Sequence, residues 1–242
     1  MELTITHLYP DVMSLYGEYA NIAVLRRHLE AMGVTVRLEK ITCEDQFSLT
    51  DADFIYMGAG TERKQKLVLA AAPQNADALK SAVQRGAVLL FTGNAMETLG
   101  ASVTAADGQT WPGYHLAGFT TKEFPQRDPG DILASTSLWE SDTVGFMNKC
   151  TETHGITTPL FEQVYLGFGN EENLSPEGYV NGNIFATHIT GPVLVKNPDF
   201  LDFIITRLFH QKGWDLPETL PILPHEREAY AVTLRELQAR IK

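Results

Sequence analysis

Cysteine is scarce in this chain, with two among 242 residues, Cys43 and Cys150. Two thiols so far apart form neither a metal-type spacing nor a disulfide framework, and they fit a reducing, cytoplasmic setting. Positive charge is also short: 19 Lys and Arg stand against 30 Asp and Glu, a formal net charge of −11. That balance excludes nucleic acid and an anionic membrane as natural partners, because both reward clustered cations. Long apolar runs are missing too. The longest, Ala87-Val88-Leu89-Leu90-Phe91, is far below the ~18 residues that cross a bilayer. The opening Met1-Glu2-Leu3-Thr4 has neither the basic nor the apolar stretch of a secretory signal. What is present is ordinary globular composition, 44% hydrophobic and 20% charged, which excludes a disordered, collagen-like or coiled-coil chain. A fold of this length buries roughly 70% or more of its unfolded surface, so it needs no disulfide or metal staple. No metal site and no cofactor are expected.

The first hundred residues read as alternating strands and helices. Residues 3–8 favour a strand. Over residues 17–32, Ile22, Leu25, Leu29 and Met32 recur at helical spacing before Gly33. Val34, Val36 and Leu38 alternate as in a strand, and Phe54-Ile55-Tyr56-Met57 reads as a strand buried on both faces. A helix is expected over residues 75–85, then the most apolar strand over 87–91. The order β-α-β-β-α-β predicts an α/β fold with a mostly parallel sheet covered by helices. Residues 101–172 look loop-rich, and strands near 143–146, 161–165 and 183–187 are expected to pair antiparallel. A helix over 198–209 completes a domain of residues 1–212. Residues 213–242 form an extension whose helix aligns Tyr230, Leu234, Leu237 and Ile241 on one face, to pack on its own domain or on a partner.

Ligands of open α/β sheets bind outside the carboxyl ends of the strands, and three segments fall there. Met57-Gly58-Ala59-Gly60-Thr61-Glu62 is either a tight strand-to-helix turn or a backbone cradle for an anion or oxyanion. It lacks GxGxxG and the P-loop lysine. Thr92-Gly93-Asn94-Ala95, closing the most apolar strand, has the shape of a nucleophile elbow without its Ser or Cys. Asn94 there suits a helix N-cap. Phe185-Ala186-Thr187-His188, before Gly191-Pro192, places a histidine at a strand end, as a structural or a functional residue.

Together, and in this order, these segments resemble the class I glutamine amidotransferase domain of the cobyric acid synthase (CobB/CobQ-like) branch. The likeness is greatest to the small amidotransferase subunits of lipid II isoglutaminyl synthases. His7-Leu8-Tyr9-Pro10-Asp11 with Tyr16-Gly17-Glu18-Tyr19-Ala20-Asn21-Ile22 resembles the family's LYPD…YGDxGNI opening. Gly58 to Gln65 resembles GGGQDxxQ, and the segment from Gly118 to Asp131 resembles GLLxxxT…RxxG. Gly145-Phe146-Met147-Asn148 resembles GFENH, Gly167-Phe168-Gly169-Asn170 with Glu177-Gly178 resembles GxGNN…EG, and the segment from His188 to Pro198 resembles YxHGPxLxxNP.

The resemblance implies a flavodoxin-like, mostly parallel sheet flanked by helices, with extra antiparallel strands. It implies a site where an elbow cysteine attacks the side-chain amide of glutamine to form a γ-glutamyl thioester. A histidine serves as general base and backbone amides hold the oxyanion. His188 matches the base, Gly58, Ala59, Gly60 and Asn94 match the oxyanion and ligand-binding segments, and Arg127 matches a family arginine. The partner implied is a Mur-ligase-like synthetase that supplies the acidic member of the triad, and the ligand is glutamine or a related small molecule. Position 93, which matches the nucleophile of CGGYQxLG, is glycine. Neither Cys43 nor Cys150 is expected near the elbow, so neither can substitute for the nucleophile. Thr61 and Glu97 replace family glutamines, and Met147 and Lys149 replace the Glu and His of GFENH. Thr92, Glu97 and Asn148 are further candidates, Thr92 as an alternative nucleophile. Two readings follow: a non-hydrolytic pseudo-glutaminase, or an active glutamine hydrolase with a non-cysteine mechanism that serves cell-wall or corrinoid amidation.

Overall fold

A computed structural model describes residues 1–218, 220 and 223–241. The strands are β1 (Glu2–Leu8), β2 (Thr35–Ile41), β3 (Phe54–Met57), β4 (Val88–Thr92), β5 (Ser102–Thr104), β6 (Thr110–Pro112), β7 (Thr120–Ser135), β8 (Thr143–His154), β9 (Gln163–Leu166), β10 (Tyr179–Asn181), β11 (Ile184–Thr187) and β12 (Ile189–Thr190). The helices are α1 (Tyr19–Ala31), α2 (Glu62–Gln84), α3 (Val193–Lys196), α4 (Pro198–Lys212) and α5 (Pro224–Gln238).

One sheet runs in the order β10-β11-β4-β3-β1-β2. It is parallel throughout except for β10 at its edge. Strands β3 and β4 are buried along their whole length, which is why they read as unbroken apolar runs rather than as alternation. Two cores flank the sheet. Leu25, Leu29, Ile204 and Leu208 of α1 and α4 lie on one face, and Val68, Ala72 and Leu79 of α2 lie on the other. The α/β architecture with a mostly parallel, helix-flanked sheet is the expected one.

Three expectations need correction. Helix α2 begins 13 residues before the expected start at residue 75 and runs through Pro73. Proline removes one helical hydrogen bond, yet the buried face of Gln65, Val68, Leu69, Ala72, Ala76, Leu79 and Ala82 continues across it, so packing overrides the breaker. The strand expected at 183–187 joins the parallel sheet beside β4, with Phe185 opposite Leu90, and pairs antiparallel only with β10. The loop-rich middle holds a second sheet, in the order β12-β8-β7-β5-β6 with β9 beside β7. Its centre is the antiparallel pair β7–β8, whose register shifts between Glu123 and Asp128, around Pro125. Pro125 and Pro129, neither able to donate to a ladder, hid this strand: the first falls within the irregularity and the second pairs opposite Asn148 just beyond it.

Helix α5 lies against this same chain. Leu237 is buried, Tyr230 donates its hydroxyl proton to the Asp142 carbonyl at 2.7 Å, and Arg227 pairs with Asp199 at 3.1 Å. Among the described residues, no helix is long and apolar enough to cross a membrane.

Candidate active site

Strand β4 ends in Thr92, and Gly93 follows at φ +61° before a 3₁₀ turn over Gly93–Leu99. This left-handed step is costly for residues with a Cβ, and it is the strand-to-helix bend that an elbow requires. A Cβ at Gly93 would lie 2.6 Å from the Ala59 Cβ and 3.2 Å from the Thr190 Cγ2. The side-chain space at the elbow is therefore filled by the methyl group of Ala59, at a position where the resembling family motif has glycine. Gly58 and Gly60 are glycine for packing: a Cβ at either would press on Glu18 (2.8 Å) or on the Met13 sulfur (2.4 Å).

Asn94 is not the helix cap expected of it. The residue in the cap position is Thr92, which makes no side-chain capping bond. The Asn94 side chain instead grips Gly60: its Oδ1 accepts from the Gly60 amide and its Nδ2 donates to the Gly60 carbonyl, both at 2.9 Å. One amide expected to serve an oxyanion is thereby engaged within the protein.

His188 follows β11 and is 1% exposed. Its Nδ1 lies 3.0 Å from Glu177 Oε1, which also accepts the His188 backbone amide at 2.7 Å. The Thr187 hydroxyl donates to the other Glu177 oxygen at 2.6 Å. A carboxylate only accepts, so this pairing fixes the proton on Nδ1 and leaves Nε2 free to accept. Nε2 is 3.4 Å from the Thr153 hydroxyl and 3.8 Å from Glu97 Oε1. The resemblance assigned the acidic partner of His188 to a second subunit, but here Glu177 of the same chain occupies Nδ1. Glu177 stands eleven residues before the histidine, at the open end of the β10–β11 hairpin in which Tyr179 faces Ala186. Its marks in the sequence are the Asn181-Gly182 turn and its place in a glutamate–glycine motif.

Glu97 is fully buried. It accepts from Gln65 Nε2 and the Thr151 hydroxyl, each at 2.6 Å. Burial raises its pKa, opposed by the neighbouring His188 ring and by these hydrogen bonds. Lys149, also buried, donates its ammonium to the carbonyls of Gly169 and Asn170. Desolvation lowers its pKa, against the pull of Glu177 and Glu97.

These groups line a cavity of about 120 Å³ that also includes Gly93, Ala59, Arg127 and Cys150. At its mouth Arg127 pairs with Glu62 and donates to the carbonyl of Asn148 at 2.8 Å. Asn148 in turn donates to the Tyr16 hydroxyl at 2.8 Å. The expectation that Cys150 lies away from the elbow needs correction, because β8 carries it into this cleft. It faces the mouth, 3.6 Å from Glu62 and 3.7 Å from Arg127. Burial and the Glu62 charge push its thiol up to about 12, so it rests as the protonated thiol rather than the nucleophilic thiolate.

Thr92 belongs to a separate buried network behind the elbow. Its hydroxyl donates to Glu18 and lies 2.9 Å from the Tyr56 hydroxyl. Glu18 also accepts from Tyr56 and, at 2.7 Å, from the Gly191 amide. Burial pushes the Glu18 carboxyl up to about 7. Between its unfolded value near 4.5 and about 7, the folded protein holds a proton that the unfolded chain has released, so this contribution to stability is lost as pH rises through 7. The opposite titration of buried His7, lowered to about 4, is common to native and variant proteins and cancels in their difference. Whatever the constant offset of Glu18→Gln, urea unfolding from pH 4 to 8 is expected to show a drift of about 3 kcal/mol in favour of the variant. Parallel profiles would refute the buried, proton-holding carboxyl.

A parallel α/β sheet with an elbow on a central strand, a loop packed over that elbow and a carboxylate-held histidine on the next strand defines a glutamine amidotransferase-type fold and cleft. The CobB/CobQ-like glutamine amidotransferase domain matches residues 4–198, and the chain belongs to that family. Two similar proteins are lipid II isoglutaminyl synthase (glutamine-hydrolyzing) subunits GatD. That of Staphylococcus aureus (strain N315) is 29% identical over 243 residues, covering 99% of this chain and 93% of that protein. That of Streptococcus pneumoniae (strain ATCC BAA-255 / R6) is 28% identical, covering 93% and 88%. Among solved structures, a glutamine amidotransferase from Thermotoga maritima aligns with a TM-score of 0.49 at 10% identity, over 98% of this chain and 92% of that one.

Proposed function

We propose that this chain is a non-hydrolytic member of its family: an amidotransferase-type subunit that holds glutamine or a related amide in the Gly93–His188 cleft without cleaving it. One observation carries the reading: the first side-chain atom of an elbow nucleophile at position 93 would lie only 2.6 Å from the Ala59 methyl. The surrounding chemistry agrees. The Gly60 amide is taken by Asn94, the cleft's cysteine is held protonated, and the Thr92 hydroxyl is committed to Glu18. His188 keeps its orientation through Glu177 and presents Nε2 beside Glu97, an arrangement suited to binding a polar amide. By likeness to the GatD subunits, the partner is a synthetase of the Mur-ligase type acting on cell-wall precursors. The chain then contributes binding or structure rather than ammonia.

Co-purification with the synthetase, followed by calorimetric titration with glutamine, tests both parts. A complex that binds glutamine and leaves it intact is the expected outcome. A lone homomer with no affinity for glutamine would sink the reading. The competing reading, hydrolysis without cysteine, requires a water activated by the His188–Glu177 pair, and turnover distinguishes it.

A further inference from the structure

On the other side of the loop from Tyr9 to Glu18, between α1 and the edge strand β2, lies a groove of about 480 Å³ that shares no lining residue with the cleft. Its position, at the carboxyl ends of β1 and β2, is where open α/β sheets take ligands. The chain carries a formal charge of −11, yet this groove gathers Arg26, Arg27 and Lys40 with a single carboxylate, Glu30. Arg26 and Glu30 neutralise each other at 2.7 Å. Arg27 and Lys40 make no ion pair among the described residues, so the groove has two unbalanced positive charges.

A second, independent feature sits beside them. His7, the register partner of Lys40 across β1 and β2, is 3% exposed. Its Nε2 is buried with no hydrogen-bond partner among the described residues, whereas buried polar groups are almost always paired. Burial and the Lys40 charge drive its pKa down to about 4, so the ring is neutral and does not add to the repulsion. Partly buried Leu38 and the buried Ile22 give the groove an apolar floor, with the exposed ring of Tyr19 at its edge.

We propose that this groove is a second ligand site, one that takes a phosphate-bearing small molecule with its anionic group between Arg27 and Lys40. The proposal stands apart from the reading of the cleft, since neither cation touches it. Calorimetric titrations of the full chain with ATP and with inorganic pyrophosphate, at 150 mM salt to screen diffuse attraction, test it. At least one probe is expected to bind, and Arg27→Ala/Lys40→Ala is expected to weaken it tenfold or more. Both side chains are exposed, and unchanged thermal melting would show the variant folded. Arg127→Ala, at the mouth of the cleft, is expected to leave the affinity unchanged. Equal affinities would assign the groove to the phosphate group alone, and tighter ATP binding to a ligand whose planar body also rests on the floor. Binding by neither probe, or binding undiminished in the double variant, would overturn the site.

Discussion

Gly93→Cys alone is expected to remain unreactive towards a glutamine-mimicking alkylating agent, whereas Gly93→Cys combined with Ala59→Gly is labelled at position 93. In the single variant the new Cβ lies 2.6 Å from the Ala59 Cβ, an overlap that must displace the elbow or the β3 loop. Overpacking of this kind costs about 1–3 kcal/mol, and a left-handed backbone at a residue with a Cβ adds about 1–2 kcal/mol. The single variant is therefore expected to melt roughly 5–15 °C lower, given the ~2–4 °C per kcal/mol usual at this size. Ala59→Gly removes the 2.6 Å overlap and leaves the backbone cost together with the tighter-than-usual 3.2 Å approach to the Thr190 Cγ2. Labelling of the double variant should require His188, since the thiol needs a base, and His188→Ala added to it should abolish the reaction. Mass spectrometry separates position 93 from Cys43 and Cys150. Full hydrolysis calls for Asn94→Gly as well, to release the Gly60 amide. Equal labelling of the single and double variants would show that Ala59 is no obstacle.

The second large effect is expected at Glu177. Its carboxylate receives three donors in a fully buried place: the Thr187 hydroxyl, the His188 amide and His188 Nδ1. Glu177→Ala leaves all three without an acceptor and deprives Lys149 of a nearby opposite charge. Removing one partner of a buried ionic cluster costs about 3–5 kcal/mol, read as a lower urea midpoint. Glu177→Gln preserves the packing and one acceptor oxygen but turns an NH₂ group towards a donor, so an intermediate loss of about 1–3 kcal/mol is expected. A change below about 0.5 kcal/mol in Glu177→Ala would mean that the glutamate does not hold His188.

Much of the scaffold was legible in the sequence because its signals are local. The apolar runs of β3 and β4, the helical spacing in α1 and the Gly33 stop each act over a few residues. The start of α2 was not legible, because Pro73 suggests a break that tertiary packing overrides. Nor was β7, where Pro125 falls at a register shift and Pro129 in the ladder opposite Asn148. Within the site, the absence of a thiol at position 93 is plain from motif spacing alone. What fills its place is not, because Ala59 and Gly93 meet only when β3 and β4 pair with Met57 opposite Phe91. The same holds for Cys150 at the mouth of the cleft, which depends on a strand pairing between distant segments that neither periodicity nor composition encodes. Glu177 reaches His188 by a shorter route, the local hairpin of β10 and β11 in which Tyr179 faces Ala186.

The most direct test of the non-hydrolytic reading is glutamate release from glutamine by the purified chain, alone and with the synthetase proposed as its partner, set beside the His188→Ala variant. The expected result is no release above that variant in either state. Steady turnover that disappears in His188→Ala would contradict it and establish a glutamine hydrolase that works without an elbow cysteine.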